Sequence, residues 1–150
     1  MREIKFRGKV SEDVYDHYAS QEPKFKKGTF VYGSLLVERE ECGRITKVFI
    51  VDQHKGCRVE VDPETVGQYT GEKDGNGNEI YEGDKVLFTI SDLRGNSIHR
   101  KGVVVFREGA WQIQKSEHHN YEFWFVCKLA SEIQITDNIH DNPGILEVPK

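Results

Sequence analysis

Oxygen-bearing side chains recur at alternate positions in Asp74-Gly75-Asn76-Gly77-Asn78, a spacing from which a loop can gather ligands around a hard cation such as calcium. A twelve-residue calcium loop needs glycine at its sixth position and a bidentate acid at its twelfth, and here these hold Glu79 and Lys85. The same residues meet a different demand. Asp-Gly and Asn-Gly pairs supply positive φ at little cost, as a hairpin turn requires. A turn is therefore expected, and no metal is assigned.

Zinc fares no better. His54 and Cys57 have HxxC spacing with Cys42 upstream, but no second close pair completes a tetrahedral set. His118 and His119 are adjacent, so on a strand they point to opposite faces. Glu79, Glu82 and Asp84 gather around Tyr81, and paired acids can do hydrolytic work. Acids flanking a glycine-rich turn read instead as a solvated rim, and no nucleophile elbow, P-loop or dinucleotide fingerprint is present. No catalytic residue, cofactor or small-molecule substrate is identified.

Basic residues offer a third chemistry. Arg2, Lys5, Arg7 and Lys9 on a first strand, with Lys24, Lys26 and Lys27 after it, are candidate contacts to a nucleic-acid backbone. The net charge of -4 gives no general attraction to phosphate. Residues 1–65 carry twelve Lys+Arg against twelve Asp+Glu, so the deficit lies wholly in residues 66–150 and the first half is the better place for such contacts. Most of the aromatics must fill a core. Trp124 lies opposite the Phe123/Phe125 face and reads as a subunit or subdomain contact.

The elements that hold these residues read as short strands. Ile4 and Phe6 alternate with charge in residues 2–9; residues 29–37, 44–51 and 57–61 are β-branched or alternating, the last closed by Asp62-Pro63. Residues 85–90, 102–106, 110–114 and 121–129 follow, punctuated by Arg94-Gly95-Asn96 and Glu108-Gly109. A helix is expected near residues 11–20, where Ser11 can cap Val14, Tyr15 and Tyr18 at helical spacing before Pro23. The fold class is mainly β, with small antiparallel strands and an SH3-like barrel in the C-terminal half. Two subdomains are expected, 1–65 and 66–150. Three cysteines, Cys42, Cys57 and Cys127, form no disulfide framework. No apolar run approaches the ~20 residues of a membrane span, and MREIKFRGKV lacks the apolar core of a signal peptide. Cytoplasm, with no membrane partner, is the expected location.

ETVGQYTGEKDGNGNEIYEGDKV at Glu64 to Val86 resembles the YopX-like family of phage and prophage proteins, supported by IKFRG at Ile4 to Gly8, VYGSL at Val31 to Leu35 and NIHDNPGIL at Asn138 to Leu146. The family's short link between FRG and VYGSL is replaced here by a longer insert, residues 9–28. The resemblance implies a mainly β fold with an SH3-like C-terminal part, a homo-oligomer, and origin in phage-derived DNA. It implies no established activity and no catalytic residues. The expected function is a non-enzymatic, homo-oligomeric accessory module whose partner is unknown, the alternative being a nucleic-acid-associated module using the basic N-terminal strand and the insert.

Overall fold

The computed structural model describes residues 3–15, 23–52, 56–91, 94–114, 123–125 and 132–142. Its elements are β1 (Phe6–Lys9), β2 (Phe30–Arg39), β3 (Ile45–Asp52), β4 (Cys57–Glu60), a 3-10 turn (Pro63–Thr65), β5 (Gly67–Lys73), β6 (Glu79–Tyr81), β7 (Asp84–Ser91), β8 (Ser97–Arg107), β9 (Ala110–Gln114), β10 (Phe123–Phe125) and β11 (Ile133–Asn138). All strand pairings are antiparallel. The chain divides into two compact units, Met1–Gln68 and Tyr69–Lys150.

In the first unit β2 lies between β1 and β3, and β4 pairs with the far side of β3. The start of β5 adds to the free side of β1 through Phe6↔Gln68 and Arg7↔Gly67. One face carries the core of Val10, Val31, Val48, Ile50, Val59 and Val61. Asp62 caps the 3-10 turn by accepting from the Glu64 amide at 3.1 Å, as an aspartate ahead of an N1 proline should. Thr65 ties that turn to β1, its hydroxyl accepting from the Lys9 amide at 2.8 Å and donating to the Asp62 carbonyl at 2.7 Å.

The helix expected near residues 11–20 does not form over Ser11–Tyr15; residues 16–20 lie outside the described ones. Val14 instead exchanges backbone hydrogen bonds with Phe25, donating at 2.9 Å and accepting at 3.2 Å. Both polar groups of Val14 are thereby committed to a β-bridge, and helical spacing of three apolar residues cannot compete with burial of Phe25 in the core. The insert is thus anchored at both described ends, with Val10 and Thr29 also paired at 3.0 Å.

The second unit holds the β5–β6 hairpin and a five-stranded sheet in the order β10-β9-β8-β7-β11. Its core is Ile80, Val86, Phe88, Val104, Ile113 and Ile133, matching the one-sided pattern of Val86, Phe88 and Ile90. Glu108 and Gly109 both take positive φ (51° and 79°) between the paired residues Arg107 and Ala110. That is the turn a two-residue hairpin favours, because its twist matches that of the strands. No sheet closes among the described residues, so what forms is an open sheet and the SH3-like barrel is not confirmed. Among the described residues no helix is long and apolar enough to cross a membrane.

Candidate functional site

The β1–β2 register sets Arg7 opposite Tyr32 and Lys9 opposite Phe30, so these four share the face turned away from the core. Arg7 is nevertheless only 6% exposed, with its guanidinium carbon 4.6 Å from the Phe30 ring centre and the Lys9 ammonium 5.4 Å from it. Cross-strand and diagonal neighbours on one face reach each other at this spacing, and an arginine stem covers aromatic surface well. Of the seven basic candidates, then, Arg7 is withdrawn from solvent, Lys5 and Lys9 are half-buried, and Lys24, Lys26 and Lys27 are exposed on the connection into β2. Arg2 lies outside the described residues. Arg7 and Lys9 gather at Phe30, and the last three flank a turn in which the Lys27 amide donates to Asp13 at 2.7 Å.

A cavity of about 360 Å³ opens in the same unit, between the residues preceding β1, the start of β2 and the end of β3. Glu3, Lys5, Phe25, Phe30, Tyr32 and Asp52 line it. Gly33 is one of its lining residues, and a Cβ there would stand 2.0 Å from the Val51 carbonyl oxygen of the neighbouring strand. No motif in the sequence announces this cavity. Its residues come from four separate stretches, and only the strand register brings them together.

In the second unit the Asp74 carboxylate, 5% exposed, is filled by protein donors. One oxygen accepts from the amides of Asn76 (2.9 Å) and Asn78 (2.8 Å), the other from the Asn78 side-chain amide (3.2 Å) and the Ile135 amide (3.3 Å). Burial works against its charge, but the Asn78 backbone and side-chain bonds and those from Ile135 and Asn76 outweigh it and hold the carboxyl below its ordinary range. With the Gly75 amide donating to the Ile133 carbonyl at 2.9 Å, the loop occupies the side of β11 away from β7. The turn is thus an edge cover as well as a reversal.

The acids around Tyr81 are likewise engaged. Its hydroxyl donates to Glu79 at 2.7 Å and its amide to Asp84 at 2.8 Å, with Asp84 1% exposed. The following turn meets a distant stretch, since the Ile139 amide donates to the Gly83 carbonyl at 3.0 Å and the Lys85 ammonium to the Asn142 carbonyl. Asn138 shapes that stretch by accepting from the His140 and Asp141 amides, both at 2.9 Å. In the sequence Asn138 to Asn142 stands out only as part of the NIHDNPGIL motif. The alternation of Ile133 and Ile135 with polar residues was the available sign of β11 before it.

Cys42 sits exposed near the tip of the β2–β3 hairpin, while Cys57 is opposite Asp52 at the other end of β3 and packs against the core. They do not share a site; His54 and Cys127 lie outside the described residues. Trp124 is paired through its backbone with Ile113 on β9, and its side chain is likewise outside them. Among the described residues the exposed large apolar side chains are Ile4, Tyr15, Tyr32, Leu36 and Ile45 in the first unit and Phe106 in the second. Leu36 and Ile45 belong to the outer part of the β2–β3 hairpin, a two-stranded arm beyond the residues paired with β1 and β4. Ion pairs at Arg44–Glu40 (2.7 Å), Lys47–Glu60 (2.7 Å) and Arg58–Glu38 (2.9 Å) decorate the arm.

The family model described as YopX protein matches residues 6–147. Among solved structures, the crystal structure of protein EF1440 from Enterococcus faecalis is similar at 20% identity, covering 98% of this chain and 100% of that one with a TM-score of 0.49. No curated protein matches.

Proposed function

We propose, from the premise that this chain belongs to the YopX family, that it is a non-enzymatic accessory protein of phage or prophage type that works in the cytoplasm as a homo-oligomer. The first unit, residues 1–65 in the boundary drawn from sequence, supplies the contact. The observation that carries this reading is the β2–β3 arm. Two strands alone are marginal in water, and this arm presents Leu36 (39% exposed) and Ile45 (47% exposed) to solvent. A second copy packed on one face of the arm would cover Leu36, with Glu38, Lys47 and Arg58 on that face forming a polar rim, and Ile45 on the other face offers a further contact. Trp124 is kept as a further contact between chains, and the free thiol of Cys42 suits a reducing compartment.

Light scattering at micromolar concentration is expected to give a mass above one chain. The double substitution Leu36→Asp with Ile45→Asp is expected to shift it to the monomer and to make the unfolding midpoint independent of protein concentration. A monomeric wild-type protein overturns the reading.

A second reading, a nucleic-acid-associated module, draws on Lys24, Lys26 and Lys27, which are exposed together. Three phosphate contacts predict that affinity for single-stranded nucleic acid falls with a log–log salt slope of roughly −2. Replacing the three lysines by glutamine should flatten that slope, and binding indifferent to salt removes this reading.

A further inference from the structure

We propose that the open edge of β2 over residues 34–38 pairs antiparallel with the same edge of a second copy of this chain, joining two sheets through main-chain hydrogen bonds. The inference rests on the assembly reading above and deepens it, adding a strand-to-strand contact to the packing of side chains on the arm.

The ladder fixes which way the main chain points. The Val61 amide donates to the Val48 carbonyl at 2.9 Å, and the Val10 amide to the Thr29 carbonyl at 3.0 Å. Successive residues of a paired strand turn their N–H and C=O groups to opposite sides. Carried along β3 and across its register with β2 (Ser34↔Val51, Leu36↔Phe49, Glu38↔Lys47), the first bond directs Ser34, Leu36 and Glu38 towards β3 and Leu35 and Val37 away from it. Carried along β2 from Thr29, the second bond gives the same result. Beyond Phe6↔Gly33, β1 no longer pairs with β2, and among the described residues nothing bonds to the outward groups of Leu35 and Val37. An unpaired row of this kind is a template for another strand, and proteins blunt it with a covering loop, a proline or a lysine. Elsewhere this chain covers its edges: the Asp74 loop lies along β11, and Ser11 donates to the Glu60 carbonyl of β4 from its amide (3.1 Å) and its hydroxyl (3.2 Å). Residues 34–38 hold neither proline nor lysine.

Symmetry selects the register. Pairing with β1 stops at Gly33, and the register shift between Glu38 and Arg39 interrupts the strand at the other end, so the open window is centred on Leu36. A twofold axis at Leu36 maps that window onto itself. Leu35 and Val37 of one copy then face Val37 and Leu35 of the other and exchange both bonds, while the two Leu36 residues form the close, non-hydrogen-bonded pair, about 4.5 Å apart at Cα. Leu35 packs against the first unit's core and Val37 lies opposite the buried Val48, so on one face the core continues across the junction. On the other face the exposed Leu36 meets its own copy. Neighbouring registers are worse. Sliding one copy towards the hairpin tip sets Leu36 against Glu38 and then the two Glu38 carboxylates against each other, and like charges directly opposite destabilise a pair. Sliding it the other way sets Val37 against Gly33, whose outer side β1 already occupies.

The test is amide exchange of the full wild-type chain, read residue by residue by NMR above and below the association midpoint that light scattering gives. The Leu35 and Val37 amides are expected to exchange about tenfold or more slowly in the associated form than in the dilute one, while the Leu36 and Glu38 amides, bonded to β3, stay slow in both. An associated form in which Leu35 and Val37 exchange as fast as in the dilute chain overturns edge pairing and leaves the assembly reading standing. A wild-type chain that stays monomeric overturns both. Protection of the two amides that dilution does not change also overturns the proposal, because their acceptors then lie within one chain. Val37→Pro removes an outward donor and no bond of the β2–β3 ladder. Each copy loses one bond across the junction, so association should weaken by about tenfold or more, and unchanged association counts against the pairing. The exchange series uses the wild-type chain, so it decides even where the proline variant does not fold.

Discussion

Asp74→Ala is expected to destabilise the second unit by about 3 kcal/mol, since a buried carboxylate accepting four hydrogen bonds is removed and three backbone amides lose their acceptor. One of those amides belongs to Ile135, so the loss should spread from the turn to β11, whose edge the loop covers. Asp74→Asn keeps the shape and part of the acceptor capacity, and about half of that loss is expected. Urea unfolding at pH 7 measures both. The pH dependence has a definite sign. Because the Asp74 carboxyl is held below its ordinary range in the folded protein, its contribution is fully present above the unfolded value of about 4. It falls as pH drops below that value through the folded one and is gone beneath both. The stability gap between wild type and Asp74→Asn should therefore narrow from pH 7 to about pH 3. A gap that does not change with pH would show that charge is not what the amides hold.

Gly33→Ala is expected to cost about 3 kcal/mol, at the upper end of overpacking losses. The new Cβ would meet Val51 oxygen at 2.0 Å and Val51 carbon at 2.7 Å, and both are backbone atoms in a paired strand that cannot rotate aside. Relief requires β2 and β3 to part near Ser34↔Val51, which also opens the cavity. Amide exchange is the local readout: protection should fall along β2 and β3 and hold in β8 and β9, which belong to the other unit. An alanine variant as stable as wild type would mean that the two backbones do not approach as closely as described.

Both positions sit in stretches that sequence reasoning handled well in one respect and not in another. The hairpin strands on either side of Gly43 were legible because β-branched and aromatic residues cluster there and a glycine follows the acidic turn; Gly43 does take positive φ, 85°. The role of Gly33 was not, because a close backbone approach depends on the neighbouring strand's register. Asp74 was legible as a turn residue from its Asp-Gly and Asn-Gly setting. Its bond to Ile135, 61 residues away, leaves no mark in local spacing.

The candidate basic face shows the same division. Alternation assigns Lys5, Arg7 and Lys9 to one face of β1, and the register agrees for Arg7 and Lys9. What alternation cannot state is whether that face meets water. Phe30, opposite Lys9 and diagonal to Arg7, decides it by drawing both cations over its ring.

From its sequence alone this protein is determined to be a mainly β chain of short antiparallel strands, with a tight turn at Asp74 to Asn78 that departs from the calcium-loop pattern at Glu79 and Lys85. These properties follow from periodicity, turn chemistry and missing ligands, all of which act within a dozen residues. Only the tertiary structure decided that Val14 bridges Phe25 instead of entering a helix, that β11 returns to β7, that Arg7 is buried, and that Lys5 and Asp52 line one cavity. Each of those depends on which distant strand supplies the hydrogen bonds and the covering side chains. That choice is made by global burial and backbone pairing, which no local pattern records.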